Sequence, residues 1–414
     1  MIDTICIYED KDSVKLLPLV YLRPVYDLRC GIFTLREKVQ RCFPKAKISL
    51  SCRSYLEGSL RQNNPNHHVN ELNAESCLFI NGRVILNQKA ANELSVKNDT
   101  IFFNGETIVA AKLSGKNLTR MLHRLNDPIS FDEFASLPRK QINVKMITYP
   151  WDLITHNGEQ LAVDYKELTF RSKKKIKGKV FNGAYLLNKK NIFIGEGSKV
   201  KPGVVLDAES GPIYIGKNVT IFPNSVIEGP AYIGDNSIVK IGAKIYSNTS
   251  VGPVCKIGGE IENSILHSYS NKQHDGFLGH AYLGSWVNIG ADTNNSDLNN
   301  NYNTVKVVIN GEMVDSKLTF VGLFMSDHSK CSINTMFNTG TVVGVSSIVF
   351  GVGFPHKSIP SFAYGGADNS SINEIEKAID VAKRVTARRN VNFTLEDEKL
   401  FRLVFELTKD ERKN

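Results

Sequence analysis

The densest group of side chains with acid–base or hydrogen-bonding chemistry lies between residues 272 and 302. Its members are Lys272, His274, His280, Tyr282, Asn288, Asn301 and Tyr302. A histidine can remove a proton near neutral pH, because its unperturbed pKa is about 6.5. Ammonium and amide groups can bind an anionic substrate and a developing oxyanion. The group therefore suits acyl transfer to an amine. The alternative is that these side chains merely decorate a solvent-facing surface.

A second group, of basic residues, follows the first predicted strand near the N-terminus. Its members are Arg23, Arg29, Arg36 and Lys38. Such groups bind triphosphates or sugar phosphates through charge-assisted hydrogen bonds, and open α/β sheets commonly place ligands just after a strand. A solvated basic face is the alternative. The G-x-G-T-R loop of ordinary nucleotidyltransferases is absent, and the sequence shows no clear carboxylate pair for Mg²⁺.

The elements that must position the first group are hexapeptide repeats. Branched apolar residues recur at strict six-residue spacing, at Ile215, Ile221, Ile227, Ile233, Val239, Ile245, Val251 and Ile257. Six residues make one flat strand and one corner, and three such sides make one coil of a triangular prism with the anchors inside. Asparagines three residues after an anchor suit the left-handed backbone of a corner. This pattern predicts a left-handed parallel β-helix.

The repeat is interrupted at the reactive group. After Ile257 it slips by two residues, and we expect it to resume through Ile265, Phe277, Leu283 and Ile289. An Asn-rich stretch, residues 294–303, predicts a projecting loop. Weaker coils should follow through Ile333 and Val345 to about Phe350. Two capped helices, opening at Ser371 and Thr394, should close the open end of the prism.

The sequence pattern of the N-terminal part predicts an α/β domain. Strands are predicted at Thr4–Tyr8, Lys47–Leu50, Cys77–Ile80 and Ile142–Thr148, with a hairpin over Thr100–Lys112 turned at Asn104-Gly105. A helix is expected at Asn117–Leu125, and a helix start at the capping box Ser130–Glu133. We expect four segments: the α/β domain at 1–170, a basic linker at 171–190, the β-helix at 191–360 and the helices at 361–414.

Composition restricts the function further. The chain has 414 residues, of which 42% are hydrophobic and 22% charged. No apolar run approaches the roughly 18 residues that span a bilayer, and no signal-peptide pattern is present. Seven cysteines without a C-x-x-C pair favour free thiols in a reducing cytoplasm. With a net charge of +9 but no nucleic-acid motif, we expect a cytoplasmic protein whose partners are small sugar phosphates and nucleotides, and neither nucleic acid nor membrane.

A resemblance makes the chemistry of residues 272–306 more specific. The segment His274-Asp275-Gly276-Phe277-Leu278-Gly279, followed by Asn288-Ile289-Gly290-Ala291, resembles the acetyltransferase part of the bacterial bifunctional N-acetylglucosamine-1-phosphate uridylyltransferase/glucosamine-1-phosphate N-acetyltransferase family. That family reads H-x-x-Y-L-G, then N-I-G-A-G-T, then N-Y. The resemblance covers roughly residues 190–350 and implies an acyltransferase that uses acetyl-CoA as a substrate.

The resemblance also implies roles for individual residues. His274 matches the general base, Asn288 a sugar-phosphate contact, and the pair Asn301-Tyr302 the acetyl-CoA site. Lys306 matches a substrate-binding lysine. Phe277 stands where the family has a substrate-contacting Tyr, with Tyr282 nearby. A small shift of the alignment would make His280 the base instead.

At the N-terminus, Leu16-Leu17-Pro18-Leu19, Arg23-Pro24 and Leu35-Arg36-Glu37-Lys38 resemble an alternative sugar nucleotidyltransferase family that is fused to such β-helices in some bacteria. This resemblance implies nucleotidyl transfer to a sugar 1-phosphate, with Mg²⁺ as the cofactor if the domain is active. Arg23, Arg29 and Lys38 are the expected phosphate ligands.

Related β-helix acyltransferases place CoA between subunits, so the resemblance implies a homotrimer. Two other functions stay open. One is a zinc enzyme resembling γ-class carbonic anhydrases, with His267, His274, His280 and His328 as ligands across a subunit boundary. The other is a non-catalytic scaffold or ligand sensor.

Overall fold

The computed structural model describes residues 2–170, 172, 174–367 and 370–413. The chain divides into two compact units, each with its own hydrophobic core. The first unit comprises Met1–Leu28, Phe33–Tyr149 and Thr394–Val404. The second comprises Arg29–Ile32, Pro150–Phe393 and Phe405–Asn414.

The first unit is an α/β domain around a seven-stranded mixed sheet. In spatial order the strands are Arg139–Gln141, Thr100–Asn104, Thr107–Ser114, Ser76–Asn81, Thr4–Tyr8, Lys47–Leu50 and His68–Val69. Three shorter strands are Phe33–Thr34 and the antiparallel pair Val84–Ile85 and Lys145–Met146. Its helices before residue 150 are α1 (Leu35–Cys42), α2 (Glu57–Asn63), α3 (Gln88–Leu94) and α4 (Gly115–Met121), with short 3₁₀ turns at Lys11–Leu16, Val25–Asp27, Ser54–Leu56, Leu122–Arg124 and Asp132–Phe134.

Several predicted elements of this unit are confirmed. Strands at Thr4–Tyr8 and Lys47–Leu50 agree with the sequence pattern, and the hairpin turns at Gly105 with φ +59°. The strand expected at 142–148 is wrong, because it is replaced by two separate short strands, Arg139–Gln141 and Lys145–Met146. The capping box at Ser130 is also wrong, since its hydroxyl accepts from Asp132 and only a 3₁₀ turn follows.

The second unit is a parallel β-helix with three walls, which we call A, B and C. Wall A contains Lys179–Val180, Lys199–Val200, Thr220–Ile221, Ile238–Val239, Lys256–Ile257 and Asn271–Lys272, then single bridges at Asn288, then Lys330–Cys331, Ile348–Val349 and Ala363–Gly365. Wall B contains Tyr185–Leu187, Val205–Asp207, Val226–Glu228, Lys244–Ile245, Glu260–Glu262 and Phe277–Gly279, then the pair Asn294–Asn295 and Met336–Phe337. Wall C contains Ile192–Ile194, Ile213–Ile215, Ala231–Ile233, Thr249–Val251, Ile265–Ser268, Tyr282–Ser285, Phe324–Met325, Val342–Val343 and Ser358–Ile359.

The hexapeptide prediction is confirmed in detail where the repeat is regular. All eight predicted anchors from Ile215 to Ile257 are buried in the internal core. The predicted corner asparagines Asn218, Asn224, Asn236 and Asn248 all have left-handed backbones, with φ of 54°, 61°, 60° and 59°. Asparagine tolerates this conformation better than most residues, so the sequence marks the corners correctly.

Beyond Ile257 the predicted phase of the repeat is wrong for Ile265 and Phe277, but Leu283 and Ile289 lie in the internal core as predicted. Between Ile257 and Leu283 the inward apolar residues of the strands are Ile261, Leu266 and Leu278, because the coil loses residues at its corners. Ile265 and Phe277 belong to the walls but not to the internal core. Later, Ile333 is 65% exposed, while Phe337, Val343 and Val349 fill the core. The predicted basic linker, residues 171–190, also contributes strands, since pairing begins with the bridge Ile176–Ile194. Arg171 and Lys173 of that segment lie outside the described residues.

The projecting loop begins later than predicted and is longer. Asn294–Asn295 still pairs within wall B, and the excursion runs over residues 296–320. We call it the insertion; it carries an antiparallel hairpin of Lys306–Ile309 and Glu312–Asp315. The corner between walls B and C can hold this insertion because the strands before and after it, Asn294–Asn295 and Phe324–Met325, keep their pairing.

Three further helices are α5 (Pro150–Thr169), α6 (Ile375–Ala387) and α7 (Leu395–Leu407), with 3₁₀ turns at Lys189–Asn191 and Lys409–Arg412 and a short strand at Arg29–Cys30. Sequence reasoning did not predict α5. Thr394 and Asp397 form a reciprocal cap on α7, with N–O distances of 2.9 and 3.2 Å. Ser371 does not begin a helix, because Ser370–Ile372 pairs antiparallel with Ala363–Gly365 and covers the last coil as a strand.

Candidate active site

His274 lies at the corner between walls A and B, after the strand Asn271–Lys272. It is exposed and lines a cavity of about 380 Å³. The other lining residues include Phe222, Lys240, Gly259, Gln273, Asp275 and Asp292. Within the described part of the chain, no side chain is hydrogen-bonded to its ring. The imidazole is therefore available to a small molecule in this cavity.

Lys272 holds the corner that carries His274. Its Nζ donates to the carbonyl oxygens of His274 at 2.5 Å and of Asp275 at 3.2 Å. The side chain is 1% exposed, because Lys272 occupies an inward position in the coil. Burial lowers the pKa of its ammonium to about 8, although the carboxylate of Asp275 opposes the change. This placement favours a positioning role over contact with a substrate.

Asn288 lies on wall A, between Asn271 and Lys330 in the pairing of neighbouring coils. Asn271 Nδ2 donates to Asn288 Oδ1 at 3.3 Å, and Arg389 Nη2 donates to Asn271 Oδ1 at 2.9 Å. Arg389 follows α6, so this helix supplies a cation to the middle of the wall. The result is a row of amide groups next to a guanidinium, which is suited to binding an anion.

Further basic side chains lie near the Arg389 guanidinium. Burial lowers the pKa of Lys256, and the nearby charges of Arg389, Lys240 and Arg388 lower it further. We call Lys240, Lys256, Arg388 and Arg389 the basic patch. Lys240 also lines the His274 cavity, so the patch borders the site of the candidate base. Sequence reasoning missed Arg389, because its helix is more than a hundred residues away along the chain.

His280 lies at the next corner of the same coil, between walls B and C. Its Nδ1 is hydrogen-bonded to Asp297 Oδ2 at 2.7 Å. The structure thus separates the two histidines that the sequence could not rank. His274 is exposed next to cations, whereas His280 is paired with a carboxylate.

Phe277 and Tyr282 have different environments. The half-buried Phe277 begins the wall B strand, and its backbone N–H donates to Asn294 Oδ1 at 2.8 Å. Tyr282 is 1% exposed on wall C, and its hydroxyl accepts from the backbone N–H of Arg29 at 3.0 Å. Tyr282 is therefore part of the packing of the second unit.

The insertion carries Asn301, Tyr302 and Lys306. Asn301 Oδ1 accepts from the backbone of Asn303 at 3.1 Å, and Tyr302 is 73% exposed with φ +57°. Lys306 is exposed at the start of the hairpin. The insertion leaves wall B after Asn295 and returns towards wall C, so these residues are on a different corner from His274.

The predicted phosphate ligands of the N-terminal part do not form one open face. Arg29 belongs to the second unit, is 7% exposed and lies 5.7 Å from the Tyr232 ring centroid. Lys38 is 4% exposed and lies over the Phe33 ring. The carbonyl of Arg23 accepts from Arg53 at 3.1 Å.

Sequence reasoning missed another cavity in the first unit, of about 390 Å³. Asp10, Asp12, Lys11 and Lys15 line it just beyond the carboxyl end of the strand Thr4–Tyr8, with Glu106 and Asp132 opposite. Arg83 binds both oxygens of Asp10, at 2.8 and 2.5 Å. Burial opposes ionisation of Asp12, but Lys15 at 2.9 Å and the charge of Arg83 outweigh it and lower the pKa. The position after a central parallel strand is the signal that could have identified this site.

The described residues of one chain do not form a metal-binding site. Among the described residues, no three His, Cys, Asp or Glu side chains are grouped so that they could bind an ion. His267 instead contacts the hydroxyls of Ser268 and Ser285, each at 3.2 Å, and His328 stacks on Trp286. Within the same described ranges, no helix is long and apolar enough to cross a membrane. All seven cysteines are free, as predicted.

Comparisons with known proteins agree with this two-part architecture. Residues 5–173 match the family model of sugar nucleotidyl transferases, and residues 212–242 match that of bacterial transferase hexapeptides. The hexapeptide match lies in the parallel coils of the second unit, which is a hexapeptide-repeat β-helix, and the nucleotidyl transferase match covers most of the first unit.

Several curated relatives are bifunctional GlmU proteins. Bifunctional protein GlmU of Trichormus variabilis is 27% identical over 251 residues, which cover 50% of this chain and 54% of that protein. GlmU of Wigglesworthia glossinidia brevipalpis is 27% identical over 195 residues, covering 47% and 39%. GlmU of Rippkaea orientalis is 33% identical over 104 residues, covering 24% and 21%. The chain is thus similar to GlmU proteins over part of its length, and it spans only about half, or less, of each of these relatives.

Among solved structures, UDP-N-acetylglucosamine acyltransferase of Francisella novicida aligns with 57% of this chain and 87% of its own, at 18% identity and a TM-score of 0.30.

Proposed function

We propose that the protein is a transferase whose β-helix acylates an amino-sugar phosphate from acetyl-CoA, with His274 as the general base. The observation that carries this proposal is that Lys240 belongs both to the basic patch and to the lining of the His274 cavity. A phosphate bound to the patch would bring the rest of a sugar phosphate next to an unpaired imidazole. The similarity to bifunctional GlmU proteins supports the same reaction class.

The proposed step is ordinary acyl transfer. The lone pair of the amine attacks the thioester carbonyl, His274 takes the proton that the nitrogen loses, and the CoA sulfur leaves as the thiolate and is then protonated. Asn288 and Arg389 hold the phosphate of the acceptor. Lys272 acts through the corner that it supports and so positions His274.

The reaction also needs the acyl donor, for which Asn301 and Tyr302 are the proposed contacts. In one chain these residues lie on the insertion at the B–C side, whereas His274 lies at the A–B corner. We therefore propose a homotrimer in which the insertion of one subunit completes the site of the next. Light scattering that gave a monomer with full acyltransferase activity would refute this arrangement.

For the first unit we propose nucleotidyl transfer to a sugar 1-phosphate at the Asp10–Asp12 cavity. Mg²⁺ commonly binds through one or two carboxylates together with substrate phosphates. Asp12 on one side of the cavity and Asp132 on the other would each supply one such oxygen, whereas both oxygens of Asp10 are already bound by Arg83. With a triphosphate, the ion would neutralise phosphate charge. Lys11 and Lys15 lie where they can contact the same phosphates.

The acyl-transfer proposal is tested by following release of free thiol from acetyl-CoA with a panel of amino-sugar phosphates. We expect His274→Ala to lower kcat by about 10²–10⁴-fold. His356→Ala, which removes an exposed histidine outside the cavity, is the matched control and should keep wild-type turnover. Near-normal turnover of His274→Ala together with an inactive His280→Asn would assign the base to the other corner.

A further inference from the structure

A second cavity, of about 410 Å³, lies over the corners between walls B and C. Three successive coils each contribute one corner residue with a left-handed backbone: Asn248, Asn263 and His280, with φ of 59°, 42° and 46°. Helix α5 lines the cavity with Trp151, Ile154, Thr155, Gly158 and Glu159. The last residues of the insertion, from Leu318 to Phe320, and the following Val321 complete it. The cavity is on a different corner from His274 and belongs entirely to the second unit.

His280 takes the place of a corner asparagine and is held in one orientation. Its Nδ1 lies 2.7 Å from Asp297 Oδ2, and both side chains are largely buried, at 20% and 13% exposure. Among the described residues, Asp297 is the one hydrogen-bonding partner of the ring. A carboxylate accepts at Nδ1–H and so fixes the tautomer in which Nε2 is an acceptor. Nε2 is therefore prepared to accept a hydrogen bond from a ligand hydroxyl.

The backbone at Gly279 packs closely against the His280–Asp297 pair. A Cβ at Gly279 would lie 2.4 Å from Asp297 Oδ2 and 2.4 Å from the Phe277 ring, so only glycine leaves the carboxylate in place. Asn295, 3% exposed, binds Gly279 from both sides, accepting from its N–H at 3.0 Å and donating to its carbonyl at 2.9 Å. Hydrogen bonds from Asn295 and the tight packing at Gly279 therefore hold the backbone beside the His280–Asp297 pair in place.

The lining indicates the class of ligand. The Phe320 ring stacks on His280 with centroids 5.2 Å apart, and Trp151 lies on the α5 side. Asn248 and Asn263 also line the cavity, and each carries a side-chain amide. Among the described residues that line this cavity, none is lysine or arginine, whereas Glu159 contributes a carboxylate and Asp297 lies directly behind His280. These carboxylates would repel a phosphate, and the described residues of the lining offer no permanent cation to offset them.

We propose that this cavity is a second ligand site and that it binds an uncharged sugar ring. The C–H face of a pyranose packs on aromatic rings, while its hydroxyls meet the corner amides and His280 Nε2. The volume is at the lower end of the range for small-molecule sites, which agrees with a ligand of about one ring.

Fluorescence can test this directly, because the chain has two tryptophans and one of them lines the cavity. In full-length Trp286→Phe protein, Trp151 is the sole reporter. We titrate methyl glucoside, methyl mannoside and N-acetylglucosamine, with glucose 6-phosphate as the charged counterpart. At least one uncharged sugar should give a saturable change, with an affinity at least about tenfold above that of the phosphate ester.

Variants then assign the binding to named residues. His280→Asn keeps a residue that suits the corner backbone and should weaken binding at least about tenfold. Phe320→Ala, at a ring that is 47% exposed, should weaken it without a folding defect. His356→Ala is the control and should bind as before. Absence of a saturable change with every uncharged sugar, equal binding of the phosphate ester, or unchanged affinity in both variants would each overturn the proposal. Thiol release from acetyl-CoA measures the other cavity, so the two proposals can fail separately.

Discussion

Lys272 and Ile257 are paired on neighbouring coils of wall A, and both occupy inward positions of the β-helix. A branched anchor is thus replaced by an ammonium, which is satisfied by backbone carbonyls of the next corner. Lys272 interrupts the stack of apolar side chains inside the β-helix, but its hydrogen bonds fix the backbone at His274. This relationship leads to the first prediction.

Replacing Lys272 by methionine should alter the pH dependence of stability. The pKa of Lys272 is about 8 when folded, against 10.5 for the free side chain, so between these values the unfolded state binds more protons. Stability therefore rises with pH across this window, by about 3 kcal/mol from this one group. In Lys272→Met that rise should be missing from urea unfolding curves measured at pH 8 and pH 10. An identical rise in both proteins would mean that the ammonium is solvated in the folded state.

Removing the guanidinium at Arg389 should weaken binding of the phosphorylated acceptor. We expect Arg389→Gln to raise KM for the acceptor about tenfold with little change in kcat, since the contact exists before and during the reaction. Arg384→Gln is the matched control, because Arg384 is on the preceding helix α6 and is paired with Asp380. Steady-state kinetics at two salt concentrations would measure both. A loss of kcat with unchanged KM would place Arg389 in the chemical step instead.

Alanine at Gly279 should separate Asp297 from His280. The added methyl group collides with the Asp297 carboxylate, and overpacking of this kind costs about 1–3 kcal/mol in unfolding free energy. Sugar binding at the second cavity should be lost with it. In the double variant Gly279→Ala/Asp297→Ala the collision with the carboxylate is absent and only the one with the Phe277 ring remains, so the two stability costs should not add. Strict additivity in urea unfolding would show that the methyl group is accommodated elsewhere.

A change of Asp12 to asparagine should impair nucleotidyl transfer. The carboxylate is a proposed Mg²⁺ ligand, and we expect pyrophosphate release from UTP and N-acetylglucosamine 1-phosphate to fall at least about 100-fold, the scale on which ligand and electrostatic contacts act. Glu75→Gln is the control, because this exposed residue precedes the strand Ser76–Asn81 and lies at the opposite edge of the sheet. Unchanged release in Asp12→Asn would remove this cavity from the proposed reaction.

The sequence allowed the β-helix to be predicted because each regular coil repeats the same local requirement. Ile215 to Ile257 must all fill one narrow core, and Asn218 or Asn236 must turn a corner, so period and residue type agree. The phase after Ile257 could not be predicted in the same way. Ile265 and Phe277 are as apolar as true anchors, and only the pairing of the next coil shows that Leu266 and Leu278 are inside.

The sequence suggests candidate site residues but does not show how they are grouped in space. His274, His280 and Asn288 are close in sequence, yet corners of a prism turn neighbouring residues in different directions. Conversely, Arg389 reaches wall A, and Trp151 on α5 reaches the His280 cavity, from distant parts of the chain. Asp297 was inside a stretch interpreted only as a loop, so its pairing with His280 depended on a tertiary contact that no local pattern reports.

The insertion leaves the prism between two strands that keep their pairing: Asn294–Asn295 pairs with Met336–Phe337 of a later coil, and Phe324–Met325 pairs with neighbouring coils on both sides. Its hairpin contributes no strand to walls A, B or C. A homologous segment of different length could therefore be grafted at this corner without rebuilding the scaffold. The insertion carries Tyr302 and Phe320, so changes in this one segment can alter which ligand is bound. The repeats that stabilise the fold stay the same.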